Sequence, residues 1–202
     1  MKKTLGFTLI EILVVVSIIG LIASIALASL GQTREKAKIA RARAEMRQIA
    51  EAIIHAQGES GKNLDQIIDP NNTNLTDYCT DCPCRTNYGG PSDIRGNVGV
   101  CYTQWLEALT RLEAAGNGTF GLVNFKRDPW GSPYLIDQNE DEPNPFQPGV
   151  DPCRHDTLRS AGPNGIASTY FVSDQDNSDA SGGNDDFGFQ LPFSRNHPTC
   201  SN

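Results

Sequence analysis

Hydrophobic residues dominate the start of the chain. Residues 5–30 form an apolar run that contains one charged residue, Glu11. From Phe7 to Leu30 the run would extend about 36 Å as an α-helix, enough to cross the hydrocarbon core of a bilayer with some tilt. The apolar region of a secretory signal peptide is shorter, about 7 to 15 residues. The pattern therefore predicts a transmembrane helix over 7–30.

The next segment has the periodicity of an amphipathic helix. Apolar residues recur there at alternating intervals of three and four, as on one face of a helix. They are Ile39, Ala42, Met46, Ile49, Ile53 and Ala56. Arg41 and Glu45 are four residues apart and would add a few tenths of a kcal/mol to helix stability. We expect the helix to continue through 31–59 and to end at Gly58 or Gly61.

The remainder of the chain, 60–202, is rich in turn residues and predicts shorter elements. Four apolar residues line one face of a helix predicted over Tyr102–Ala115. Strands are predicted over Gly121–Phe125, Tyr134–Ile136, Thr169–Ser173 and Phe187–Leu191. A long helix packed on a small antiparallel sheet, an α+β arrangement, accounts for this order, and the segment is long enough for one modest core.

Charge is distributed unevenly along the chain. Residues 1–59 contain 8 Lys and Arg against 5 Asp and Glu, whereas residues 60–202 contain 9 against 19. An acidic outer domain argues against nucleic acid as a direct ligand and favours cations or basic protein surfaces. Lys2 and Lys3 predict a cytoplasmic amino terminus, with everything after Leu30 outside.

Six basic residues lie just beyond the apolar segment, on the side that the positive-inside rule keeps poor in Lys and Arg. They are Arg34, Lys36, Lys38, Arg41, Arg43 and Arg47. Two interpretations stay open. The residues form a solvated helix face, or they pair with neighbouring subunits of a fibre.

Glu11 requires an explanation, because a carboxylate inside a lipid-length segment costs about 3 kcal/mol on insertion scales. A cut after Gly6 would place a new amino terminus at Phe7. The ammonium group of Phe7 could then pair with Glu11 of a neighbouring copy. The alternative is an ordinary signal anchor in which Glu11 is incidental.

The segment Met1–Gly6 followed by Phe7-Thr8-Leu9-Ile10-Glu11 resembles the leader and cleavage site of type IV prepilins and of the pseudopilins of type II secretion systems. The resemblance implies that a membrane peptidase cuts after Gly6 and methylates the Phe7 amine, and that assembly needs Glu11. It also implies four segments. These are a leader at 1–6, a transmembrane and assembly helix at 7–30, its amphipathic continuation at 31–59, and an exported globular domain at 60–202.

Two further segments resemble the major pseudopilin of type II secretion. One is Asp128–Tyr134, with the sequence DPWGSPY, and the other is Ser160–Gly165, SAGPNG, followed by GNDDF at 183–187. In that family the closing region binds calcium, which implies Asn164, Asp185 and Asp186 as ligands. This chain departs from the pattern, because Asn164 stands where the family has Asp and residues 166–182 lengthen the loop.

The lengthened loop is itself acidic. Asp174 and Asp176 lie there with further oxygen-bearing side chains at 177–179. Calcium prefers six to eight oxygen ligands, so these residues are added candidates for a calcium site. The alternative is a solvated acidic loop without metal.

All six cysteines follow the apolar segment. They are Cys79, Cys82, Cys84, Cys101, Cys153 and Cys200. An even number in an exported domain predicts three disulfides, for which 15 connectivities are possible. Among the possible bonds we favour Cys153 with Cys200. Zinc bound by the first three cysteines is an alternative, although the spacing lacks a matching second pair. Small pilin-like domains use disulfides in loop-rich regions, so the resemblance favours disulfides.

We do not expect an enzyme. His155, Asp156 and Ser160 lie close together in the sequence, as members of a hydrolase triad might. Triads are recognised by geometry, however, and no glycine-flanked serine of the nucleophile-elbow type is present.

The resemblance implies a pilin-like structural subunit of a helical filament, anchored in the inner membrane with its carboxy-terminal domain periplasmic or extracellular. The first expectation is the major pseudopilin of a type II secretion system, which drives protein export. The alternatives are a type IV pilin for adhesion, motility or DNA uptake, and a membrane-anchored calcium-binding module that does not polymerise. The expected partners are further copies of the chain, minor pseudopilins or pilins, the prepilin peptidase, an inner-membrane assembly platform, and lipid before extraction.

Overall fold

The computed structural model of the chain describes residues 6–68, 82–84, 90–137, 156–167 and 187–191; the side chains of 25–29, 82, 187, 189 and 190 are not considered. The chain divides into two compact units, Met1–Ala40 and Arg41–Asn202. One long helix, α1, runs over Leu9–Ser60 and contributes to both units.

The first unit consists of the amino-terminal part of α1. Its large apolar side chains between Phe7 and Ile22 are exposed, and Phe7 itself is 85% exposed. In the part of the chain that the structure describes, no helix combines the length and apolar character required to cross a membrane, so the span predicted over 7–30 remains a prediction.

The second half of α1 confirms the predicted amphipathic helix. The residues of the predicted stripe at 42, 46, 49, 53 and 56 are all buried in the core of the second unit. The helix ends at Ser60, between the two glycines that the sequence indicated as its end. The period of 3.6 residues therefore places one face of α1 against the rest of this unit.

Two shorter helices pack in the same core. The helix α3, over Val100–Ala115, confirms the second predicted helix and begins two residues earlier. It buries Trp105, Leu109 and Leu112, in agreement with the predicted apolar face. The five-residue helix α2, over Leu64–Ile68, was not predicted, because it is too short to show a periodic pattern.

A three-stranded antiparallel sheet completes the second unit. Its strands are β1 (Leu135–Asp137), β2 (Thr157–Ser160) and β3 (Phe187–Gln190), in that spatial order. Leu135 pairs with Arg159, and Leu158 pairs with Phe189. The structure confirms the strands predicted near 134–136 and 187–191, whereas the one predicted over Thr169–Ser173 lies outside the described residues.

The strand predicted over Gly121–Phe125 is wrong, because Leu122–Asn124 form a 3₁₀ turn instead. Gly121 has a φ of +64°, which bends the chain where a strand would be extended. The carboxylate of Glu113 accepts hydrogen bonds from the backbone N–H groups of Gly121 and Leu122 at 2.9 and 2.6 Å. These donors are therefore bound to the end of α3 and do not join a sheet.

A second, smaller apolar cluster surrounds a disulfide. Cys84, in a 3₁₀ turn over Cys82–Cys84, is bonded to Cys101 at the start of α3. Ile94, Leu135, Ala161 and Ala167 complete the cluster. The disulfide is incompatible with Cys84 as a thiolate ligand of zinc. Cys79, Cys153 and Cys200 lie outside the described residues, so the pairing of the other cysteines remains a prediction.

Candidate functional site

The first candidate site is the start of α1, where Thr8 and Glu11 cap the helix together. The backbone N–H and the hydroxyl of Thr8 both donate to Oε2 of Glu11 at 2.8 Å. In return the backbone N–H of Glu11 donates to the Thr8 hydroxyl at 3.3 Å. This reciprocal pair is a capping box, which satisfies N–H groups that the first helical turn leaves without partners.

The capping box gives Glu11 a second role that the sequence analysis missed. The spacing Thr8-x-x-Glu11 was a sufficient signal, because Ser or Thr followed three residues later by Glu marks helix starts. Both bonds that the Glu11 carboxylate accepts use Oε2. Within the described contacts, Oε1 therefore remains available to a cation from outside the subunit.

The predicted cleavage site is accessible, and the described neighbours leave space around Gly6. Gly6 and Phe7 are exposed and precede the first helical residue, so the peptide bond between them is not part of the helix. A Cβ atom built on Gly6 would have no neighbour within 4 Å. No described neighbour therefore requires glycine at this position, and a requirement for Gly6 would point to an external partner.

The second candidate site is the DPWGSPY segment, which is organised by the buried carboxylate of Asp128. Oδ1 accepts the backbone N–H groups of Trp130 and Ser132 at 3.0 and 2.9 Å. Oδ2 accepts the hydroxyl of Ser160 at 2.7 Å. Burial raises the pKa of Asp128, and the hydrogen bonds from Ser160 and from the turn oppose that shift.

The bond between Asp128 and Ser160 joins the two segments that carry the pseudopilin resemblance. Ser160 is the last residue of β2 and opens the SAGPNG sequence. It also accepts the backbone N–H of Gly162 at 3.2 Å. Its hydroxyl therefore holds a turn in place. His155 lies outside the described residues, so the hydrolase arrangement considered from the sequence is not tested.

Tyr134, at the end of DPWGSPY, connects this segment to α1. Its buried hydroxyl donates to Oε2 of Glu45 at 2.6 Å, and Oε1 of Glu45 accepts Nε of Arg41 at 2.7 Å. Burial is the main cause that raises the pKa of Tyr134, and the Glu45 carboxylate raises it further. The predicted pair of Arg41 and Glu45 is thus present, and it also orients a buried tyrosine.

The SAGPNG turn is bound to the segment 93–96. The backbone N–H of Ile94 donates to the Gly165 carbonyl at 2.8 Å, and Nη1 of Arg95 donates to the Pro163 carbonyl at 2.9 Å. Arg95 also pairs with Asp93, which lowers the pKa of the Asp93 carboxyl. A Cβ on Gly165 would lie 2.4 Å from Oδ1 of Asp93, so a larger residue would force the Asp93 and Arg95 side chains to move, and the φ of +70° also favours glycine.

The predicted calcium ligands are only partly visible. Asn164 lies in the SAGPNG turn, where its Oδ1 accepts the backbone N–H of Ile166 at 2.8 Å. Asp174, Asp176, Asp185 and Asp186 lie outside the described residues. In the ranges that the structure describes, no group of three or more His, Cys, Asp or Glu side chains could hold a metal ion.

Comparison with known proteins identifies the amino-terminal segment. Residues 1–27 match the model of the prokaryotic N-terminal methylation motif, which supports a type IV pilin-like protein. The match includes Gly6, Phe7 and the capping pair, and it does not reach the second unit. No curated protein and no solved structure matches the chain.

Proposed function

We propose that this chain is the structural subunit of a helical filament, anchored in the inner membrane through α1 before assembly. Prepilin peptidase cuts after Gly6 and methylates Phe7, and the apolar halves of α1 then bundle in the filament core. The methylation motif over residues 1–27 carries this proposal. The inner-membrane assembly platform and minor pilins or pseudopilins are the proposed partners, and no direct nucleic-acid ligand is proposed.

The exposed apolar half of α1 supports the proposal. Large apolar side chains on all sides of a helix are stable in lipid or against other helices and are costly in water. Every large apolar residue from Leu9 to Ile22 is at least half exposed. Lipid before assembly and neighbouring copies afterwards would each bury this surface.

The geometry of Glu11 allows the carboxylate to gain a second partner during assembly. The carboxylate already caps its own helix through Oε2. Binding of a neighbour's Phe7 ammonium through Oε1 would neutralise the charge without disrupting the cap. Glu11 would therefore both cap the start of α1 and position the neighbouring subunit in the filament.

Two substitutions at Glu11 separate these roles. Glu11→Gln keeps an oxygen that can accept the Thr8 bonds and removes the charge, whereas Glu11→Leu removes both. We expect both variants to insert in the membrane at least as well as the parent, because the cost of the buried charge is gone. We also expect both to assemble poorly, as seen in electron micrographs of filaments. Normal assembly of Glu11→Gln would show that capping alone is needed and would contradict the ion pair.

The major pseudopilin of type II secretion is the proposed version of this function. The DPWGSPY and SAGPNG segments support it, since the bond between Asp128 and Ser160 makes them one structural unit. The lengthened loop between SAGPNG and GNDDF favours the runner-up, a type IV pilin. Deletion of the gene in its host distinguishes them, because loss of protein export indicates a pseudopilin and loss of surface pili indicates a pilin.

Calcium binding by the acidic loop is a further part of the proposal. Asp174, Asp176, Asp185 and Asp186 supply the carboxylates, and Asn164 would add its amide oxygen beside the bond to Ile166. A cation that binds only the folded form raises stability by RT ln(1 + [L]/Kd), about 2.7 kcal/mol at a hundredfold excess over Kd. A calcium-binding module that never polymerises would show this effect without filaments.

The melting temperature of the full chain in detergent tests the calcium site. Calcium should raise it, a chelator should reverse the change, and Asp185→Ala with Asp186→Ala should remove the response. The matched control is Glu140→Ala with Asp141→Ala, which removes another pair of consecutive acids. It should leave the effect of calcium on the melting temperature unchanged. If millimolar calcium leaves the melting temperature of the parent unchanged, the segment is a solvated acidic loop and the proposed calcium site is wrong.

A further inference from the structure

Three exposed basic residues closely follow the apolar half of α1. Arg34, Lys36 and Lys38 are all exposed. At 1.5 Å per residue they lie about 6 to 12 Å along the helix axis from Leu30, the last residue of the apolar run. The headgroup region of each leaflet extends about 5 to 8 Å beyond the hydrocarbon core. The backbone of Arg34 lies within that depth, and Lys36 and Lys38 can reach back to it through their long side chains.

These residues surround the helix and do not form one face. At 100° per residue, Arg34 and Lys38 are about 40° apart, while Lys36 lies about 160° from both. A protein surface that docks on one side of the helix would reach only part of this set. Lipid headgroups surround a membrane helix completely and would reach all three.

Glu35, which lies between the first two of these basic residues, offsets one of the three positive charges. The position of the remaining positive charge is costly unless further anions compensate for it. This argument rests on the proposed function, in which residues after Leu30 lie outside the inner membrane. Positive charge flanking a span favours the cytoplasmic side, and Lys2 and Lys3 on that side would compete with three basic residues here. Phosphate groups of anionic lipids would neutralise them through charge-assisted hydrogen bonds.

More distant basic residues do not share this environment. Arg41 is paired with Glu45 within the second unit. Arg47 follows Leu30 by 17 residues and belongs to the second unit. Among the basic residues of α1, we therefore assign binding at the membrane surface to the three nearer ones.

We propose that Arg34, Lys36 and Lys38 form a collar that binds anionic phospholipid headgroups in the outer leaflet of the inner membrane. The collar holds the subunit at a fixed depth before extraction. Extraction into a filament must then release these lipids along with the apolar contacts of α1.

The test uses the full chain reconstituted into phosphatidylcholine vesicles that contain phosphatidylglycerol, followed by detergent extraction and quantification of the lipids that copurify. At about 1 kcal/mol per net positive charge, and with Glu35 offsetting one of the three, the collar should favour phosphatidylglycerol by about thirtyfold at low salt. The variant Arg34→Gln, Lys36→Gln, Lys38→Gln should lose this enrichment, and high salt should reduce it for the parent. The control Arg47→Gln, Lys62→Gln, Lys126→Gln removes the same charge and should bind as the parent does.

Each failure has a distinct meaning. Failure of the parent to enter vesicles of phosphatidylcholine alone would contradict membrane anchoring, and with it both the proposed function and the collar. Normal entry without enrichment of phosphatidylglycerol would overturn the collar alone. The collar is also overturned if the triple variant keeps the enrichment but fails to form filaments, because the basic residues would then bind the acidic surface of a second copy.

Discussion

Replacement of Asp128 should destabilise the second unit more than the loss of any exposed carboxylate. Asp128→Ala would leave three donors without their acceptor, the N–H groups of Trp130 and Ser132 and the hydroxyl of Ser160. Ser132 and Ser160 are fully buried, so water cannot replace the lost bonds there. Each buried donor left without a partner costs about 1–3 kcal/mol.

These terms predict a loss of about 3 kcal/mol for Asp128→Ala, because relief of the buried charge offsets part of the lost bonding. Asp128→Asn keeps an acceptor of nearly the same shape and should cost about half as much. Ser160→Ala removes one bond and should cost about 1–2 kcal/mol. In the double variant the two effects should be coupled by about 1 kcal/mol or more, since the residues share a direct hydrogen bond.

Urea denaturation of the full chain in mild detergent, followed by tryptophan fluorescence, measures these differences. The chain has two tryptophans, Trp105 and Trp130, and both report on this unit. Additive effects of Asp128→Ala and Ser160→Ala would refute the direct bond. A cost of Asp128→Ala no larger than that of Glu51→Ala, an exposed carboxylate on α1, would refute the organising role of Asp128.

The same comparison has a predicted pH dependence. Burial raises the pKa of Asp128 in the folded state above its ordinary value of 3.8. The folded form therefore binds the proton more tightly than the unfolded chain, and this contribution to stability is lost as pH rises through the folded pKa. The asparagine of the Asp128→Asn variant would not titrate. The stability of the parent relative to Asp128→Asn should therefore fall as the pH rises from 3.8 to the raised pKa of the folded state. A relative stability that rises there would contradict the burial argument.

Two further substitutions test single contacts of the second unit. Tyr134→Phe removes the hydroxyl that donates to Glu45. We expect it to lower the free energy of unfolding, measured by urea denaturation, by about 1–2 kcal/mol. An unchanged free energy of unfolding would argue against this hydrogen bond. Gly165→Ala should cost more than Gly118→Ala, because both positions have a φ near +70° but only the added Cβ at 165 would collide with Asp93 and Arg95. Equal costs at the two glycines would mean that the 93–96 segment moves away freely.

The longer helices of the fold could be predicted from the sequence, because their periodic pattern extends over several turns. The apolar stripe of α1 and the face of α3 are of this kind, since their spacing identifies both the element and its buried side. The strand β2 was missed, because Leu158 is its only large apolar residue and Arg159 is buried beside it. Its neighbours in the sheet determine its conformation more than its own composition does.

Local side-chain chemistry accounts for the remaining differences. The apolar alternation around Leu122 favours a strand, but Glu113 from α3 accepts the N–H groups needed for one. The bond between Asp128 and Ser160 joins residues 32 apart, so no local pattern could indicate it. By contrast, Thr8 and Glu11 form a capping box at the spacing that the sequence displays, and this contact could have been predicted.

The mass of the amino-terminal peptide, recovered from assembled filaments, tests the central claim most directly. The proposed processing predicts a peptide that begins at Phe7 and carries one methyl group on its amine. Gly6→Val should block the cut and leave an unassembled precursor with residues 1–6 attached. Filaments built from chains that still begin at Met1 would contradict both the cleavage and the pairing of Glu11 with a neighbour's Phe7.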